Sequence, residues 1–139
     1  MKKLIFIIMT SFVFMILSSA QAADVPRLLN YQGYVEDSGG VPIDGPGYFK
    51  FAIVNEAGDT SYWSNDGTST IGDEPSNWVV IPVSDGFFTL KLGDTNITNM
   101  GVLDTTPFDQ QNIYVRVWFS DSGAAFQLLT PDTQIASAG

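Results

Sequence analysis

Apolar side chains recur at every second position through most of this chain, and no other feature restricts its fold as strongly. Phe49, Phe51 and Ile53 alternate with Tyr48, Lys50 and Ala52; Phe88, Leu90 and Leu92 with Phe87, Thr89 and Lys91; Ile113, Val115, Val117 and Phe119 with Tyr114, Arg116 and Trp118. A period of two puts successive side chains on opposite faces of a strand, so each run offers one face for burial. Leu28 to Val35, Trp78 to Val83 and Phe126 to Thr130 read as strands too, with Thr60 to Ser64 as a short one, giving six to seven in all.

Turn formers punctuate these runs: Asp37-Ser-Gly-Gly40, Asp44-Gly-Pro-Gly47, Glu56-Ala-Gly-Asp59, Asn65-Asp-Gly67, Ser84-Asp-Gly86 and Asp121-Ser-Gly123. Glycine accepts positive φ, and Asp or Asn bonds its own backbone through a bend. The sharpest hairpin signal is Val83-Ser-Asp-Gly-Phe87, because Asp-Gly suits the primed turns that match strand twist. The pattern predicts an all-β domain, a single antiparallel β-sandwich of immunoglobulin-like or jelly-roll-like type. Asn30 to Glu36 reads as a strand, Asp37 to Gly47 as a double turn and Tyr48 as the start of the partner strand. Ser64 to Asn77 reads as a polar loop. Gly93 to Gln111 is a long connection, expected to cross between sheets with a helical turn near Met100 to Leu103.

Ahead of the strands, Met1 to Ala22 has the form of a secretory signal: Lys2 and Lys3, an apolar run from Leu4 to Leu17, and Ala20-Gln21-Ala22 at the cleavage position. The run is shorter than the roughly 18 to 20 residues a spanning helix needs. Cleavage would leave residues 23–139 as one domain without a membrane span, secreted, periplasmic or on the cell surface. With no cysteine, such a chain has neither a disulfide framework nor a lipid-bearing thiol. Six basic residues stand against fifteen acidic ones, and the leader would remove two of the six. Such a surface repels phosphate backbones and anionic lipid, which argues against nucleic acid as a partner.

Leu29-Asn-Tyr-Gln-Gly33, Glu36-Asp-Ser-Gly-Gly-Val-Pro-Ile-Asp-Gly45, Phe49-Lys-Phe-Ala-Ile-Val54, Tyr62-Trp-Ser64, Val83-Ser-Asp-Gly-Phe-Phe-Thr-Leu-Lys-Leu-Gly93 and Asn112-Ile-Tyr-Val-Arg-Val117 follow one another in order. This succession resembles a family of bacterial exported β modules that open large secreted or surface proteins, often ahead of collagen-like, tail-fibre-like or endosialidase-chaperone-like regions. The resemblance implies a surface location and continuation into a longer parent chain, and it supplies no catalytic residues. Where such modules carry Leu-x-Pro-Arg, this chain has Leu129-Thr-Pro-Asp132.

Candidate chemistry is sparse. The glycines of residues 30–51 lack the following helix and the lysine of a phosphate cradle, and Pro42 and Pro46 suit bends. With neither histidine nor cysteine, the commonest general base, the thiolate nucleophile and the usual zinc ligands are missing. The adjacent carboxylates Glu36 with Asp37 and Asp73 with Glu74 lack the facing geometry of a glycosidase, so a carboxylate-based hydrolase is the weakest reading. Calcium is the cofactor the sequence allows, with oxygen donors from either Asp94 to Thr98, Asp94 and Asn96 among them, or Asn65 and Asp66 together with Asp73 and Glu74. Trp63, Trp78 and Trp118, with Tyr34, Tyr48, Tyr62 and Tyr114, are more aromatic surface than a small core needs, and Trp63, Trp78, Trp118, Tyr62 and Tyr114 form the candidate binding set. They predict either an interface with other regions of the parent protein or a neighbouring subunit, or a platform for sugar rings in a carbohydrate-binding adhesin. The leading expectation is a non-catalytic structural or assembly module that docks through edge strands and aromatic faces.

Overall fold

The computed structural model describes residues 27–135, which form seven strands in two antiparallel sheets. The expected leader, Met1 to Ala22, lies outside the described residues, as do residues 136–139. The smaller sheet pairs β1 (Leu29–Tyr34) with β5 (Phe87–Leu92). The larger is ordered β3 (Ser61–Ser64), β2 (Gly45–Val54), β6 (Ile113–Ser120), β7 (Gln127–Ile135). β4 (Val79–Val83) joins it by pairing with the first half of β2, Gly45 to Phe49, while β3 pairs with the end, Ala52 to Val54. Pro46 faces Pro82 there, before β6 pairing begins at Tyr48, so its missing donor falls outside the β2–β6 ladder.

Alternation does what the sequence promises. Phe49, Phe51 and Ile53 of β2, Val79, Ile81 and Val83 of β4, and Ile113, Val115 and Val117 of β6 are buried against Phe88, Leu90 and Leu92 of β5. Phe49 lies 4.3 Å from Phe88 between ring centroids, and Tyr31 5.8 Å from Phe51. Gly33 faces Phe88 across the small sheet, and a Cβ there would sit 2.6 Å from the Phe88 ring. The absence of a side chain therefore lets that ring lie over β1.

Pairing departs from expectation at two places. β1 does not take β2 as its partner. Only Asp37 to Val41 forms a tight turn, with Gly45 to Gly47 already in β2, and β1 pairs with β5 instead. Ile43 explains this: its N–H donates to the Val35 carbonyl and its own carbonyl accepts from Gly86 N–H, so the segment is wedged at the corner before it reaches the large sheet. The turn at Ser84 to Phe87 forms as expected, with positive φ at Asp85 and Gly86 and two 2.9 Å bonds between Ser84 and Phe87. Yet β4 then stays in the large sheet and β5 in the small one. A flat hairpin and a corner bury the same alternate residues, so periodicity alone does not distinguish them.

The Gly93–Gln111 connection crosses from the small sheet to the large one, as expected. Its helical turn, however, is a 3₁₀ segment at Thr106–Asp109, while Met100 and Leu103 are buried in the core. β7 runs beyond Thr130 to Ile135 and bulges at Thr130 to Asp132, opposite Arg116.

Candidate functional site

On the outer face of the large sheet, Lys50 and Arg116 project from neighbouring central strands, where a bare charge would be expected to reach solvent. Instead the Ser64–Asn77 loop folds over them. Lys50 is 6% exposed, donates to Glu74 at 2.6 Å and sits 4.2 Å above the Phe126 ring. Arg116 spends its fork on structure: Nε and Nη2 donate to the Asp132 carboxylate at 2.8 to 3.2 Å, and Nη1 donates to the carbonyls of Gly58 and Gly72. Planar, five-donor guanidinium suits this work better than an ammonium would.

Asn65 ties the same loop to the sheet from below. Fully buried, it accepts from Phe51 N–H at 3.0 Å and donates to the carbonyls of Asn77 and Asn99, while its own carbonyl takes Gly101 N–H. β2, the loop and the crossover thus meet at one amide. Beyond it, Asp66 receives Thr68 and Asn77. Partial burial pushes the Asp66 carboxyl up, but those hydrogen bonds together outweigh it and hold the group below its ordinary value. Asp73 is held low by the backbone N–H groups of Ile71 and Thr70, with Ser69 adding a hydroxyl.

The calcium candidates take part in contacts of this kind. Asp73 caps the loop, Glu74 pairs with Lys50, and Asp94 accepts both the backbone and side-chain N–H of Asn96. Among the described residues, no three His, Cys, Asp or Glu side chains come together in a metal-ready group. The adjacent acids Glu36 and Asp37 also serve turns: Asp37 accepts from Gly39 and Val41, and Glu36 from the Tyr34 hydroxyl.

The five predicted aromatics do not form one exposed row. Trp63 faces inward and donates its indole N–H to the Val102 carbonyl; Trp118 is buried with Ala52 and Val54; Tyr62 and Tyr114 are half-buried. Trp63 stands on the inward phase of β3, and Trp118 is covered by Phe126 and its neighbours, which is why an outward reading fails for both. Trp78 alone is exposed, over a recess shared with Val80, Asn96, Ile97, Thr98 and Asn99.

The free aromatic surface lies instead on the small sheet. Phe87 is 65% exposed and Tyr34 45%, with ring centroids 5.1 Å apart. A cleft of about 710 Å³ opens beside them, walled by Gln32, Gly33, Pro82, Ser84, Phe88 and Thr89. Partial burial and the nearby Glu36 carboxylate raise the Tyr34 phenol above its ordinary value. The sequence signal for this site was available: both rings stand on the outward phase of strands whose inward phase is already apolar.

No curated protein and no solved structure matches this chain. One family profile does, over residues 30–132, a span that runs from within β1 to within β7 and so encloses the sandwich and its cleft. The chain therefore belongs to the family described as a domain of unknown function, DUF8740.

Proposed function

We propose that this protein is a non-catalytic structural or assembly module, secreted or held at the cell surface or in the periplasm, that docks onto other regions of a parent protein or onto neighbouring subunits. The observation that carries the reading is the two-stranded β1–β5 layer. It is the narrow side of the sandwich, it carries the exposed Tyr34 and Phe87 rings, and it borders the apolar cleft described above. Exposed apolar patches of this kind serve contact with other molecules. In support, Lys50–Glu74 and Arg116–Asp132 are engaged with one another in holding the sheet and its covering loop together.

The test is Phe87→Ser in the native protein, which removes the ring without touching a core contact. Unchanged thermal unfolding with loss of assembly or surface retention is the expected result. Full assembly by the folded variant would refute the reading. A glycan-binding alternative has one observation in its favour, the Trp78 recess with the Asn96 and Asn99 amides at its wall. Glycan-array binding that disappears in Trp78→Ala would establish it.

A further inference from the structure

The free edge of β1 has a definite chemistry. The Val35 N–H donates to the Gly86 carbonyl at 2.8 Å, which continues the register that sets Tyr34 against Phe87. In an antiparallel ladder, hydrogen-bonded pairs alternate with unbonded ones. Leu29, Tyr31 and Gly33 therefore bond to β5, and Asn30, Gln32 and Tyr34 turn their N–H and C=O groups the other way. Among the described residues, no strand occupies that edge.

The edges at β7 and β5 are guarded. β7 carries Pro131 and a bulge beside Asp132. On β5, the outward groups of Phe87 are taken by Ser84, the Lys91 carbonyl by Asp94 N–H, and a lysine stands on the edge itself. Charges, prolines and bulges are the devices by which sheets avoid joining one another. Leu29-Asn-Tyr-Gln-Gly-Tyr34 has none of them.

We infer that β1 pairs antiparallel with β1 of a second copy of this chain, about a twofold axis at Gln32, in a manner that rests on the docking reading above. Outward-facing groups meet only if even positions face even positions. In this register Gln32 faces Gln32 of the partner subunit, and Asn30 faces Tyr34 of the partner subunit. Charge favours this register: Arg27 falls opposite the partner's Asp37, on the same face of the ladder. In a chain with six basic and fifteen acidic residues, that match distinguishes this edge from an arbitrary contact. The two small sheets become one four-stranded layer, and the half-buried Leu29 and Tyr31 gain cover. A twofold contact of this kind closes on itself and stops at two copies.

The test uses the purified full chain, in which no native cysteine competes. Paired positions in such a ladder have Cα atoms about 5.5 Å apart, within disulfide reach, so Gln32→Cys should cross-link about tenfold faster than Thr89→Cys, which lies on the same face but on the opposite, β5 edge. Sedimentation equilibrium should give dimers for the wild type and monomers for Gln32→Pro. At this edge position the proline removes an outward donor and no β1–β5 bond, so the variant should keep its circular dichroism and a cooperative melt. A monomeric wild type at about 100 μM, or equal cross-linking rates for the two cysteine variants, would overturn the pairing. If that happens while Phe87→Ser still abolishes assembly, the docking reading stands with a different partner; if Phe87→Ser is also silent, both fall.

Discussion

Lys50 and Glu74 illustrate how unequal the two ends of an ion pair are. The lysine is sealed beneath the loop and the Phe126 ring, while the glutamate side chain remains 42% exposed. Removing the exposed partner leaves a buried charge alone; removing the buried one returns a carboxylate to water. Glu74→Ala should therefore cost about 2 kcal/mol in denaturant unfolding, and Lys50→Met less than about 1 kcal/mol, since methionine keeps the stem packed. Equal losses would mean that the ring, rather than the carboxylate, holds the ammonium. Sequence alone read both Lys50 and Arg116 as outward, and so they are on the strand. What covers them arrives from 24 residues along the chain in one case and 58 in the other, and no local pattern announces contacts at that separation.

At the scale of elements, the strands were legible and their partners were not. Burial on one face writes itself into the sequence as alternation, which is why β2, β5 and β6 appear where Phe49 to Ile53, Phe88 to Leu92 and Ile113 to Phe119 alternate. Pairing is decided by backbone hydrogen bonds that carry no side-chain signature, so β1 finding β5 rather than β2 left no trace. The Ser64–Asn77 loop was legible only as polar, because its order depends on Asn65, Asp66 and Asp73 each meeting several donors in space. Asp66 and Asp73 have folded-state values below those of free carboxyls, so their contribution to stability is present above about pH 4 and is lost as pH falls through the lowered values. Urea unfolding from pH 2 to 7 should show an acid limb that flattens in Asp66→Asn and in Asp73→Asn. A limb of unchanged slope in both would place the acid sensitivity elsewhere.

Taken whole, the molecule is an asymmetric sandwich in which β7 completes the wide layer from the far end of the chain. It contributes Leu129 and Ile135 to the margin of the core and Asp132 to Arg116. Ending the chain before Gln127 would leave the Arg116 guanidinium without its carboxylate and open the edge of β6, so calorimetry should lose its cooperative transition. A sharp transition in the truncated chain would show that the remaining strands suffice. The candidate docking surface was half legible at this scale: Tyr34 and Phe87 sat on outward phases in plain view, but their proximity required the pairing. Asn65 gives the folded state one further property. Its carboxamide is locked on both atoms and shielded from water, so hydrolysis to aspartate is closed to it while the native packing lasts. Conversion at that position in an ageing sample would accordingly keep a chemical tally of how often the sandwich has opened.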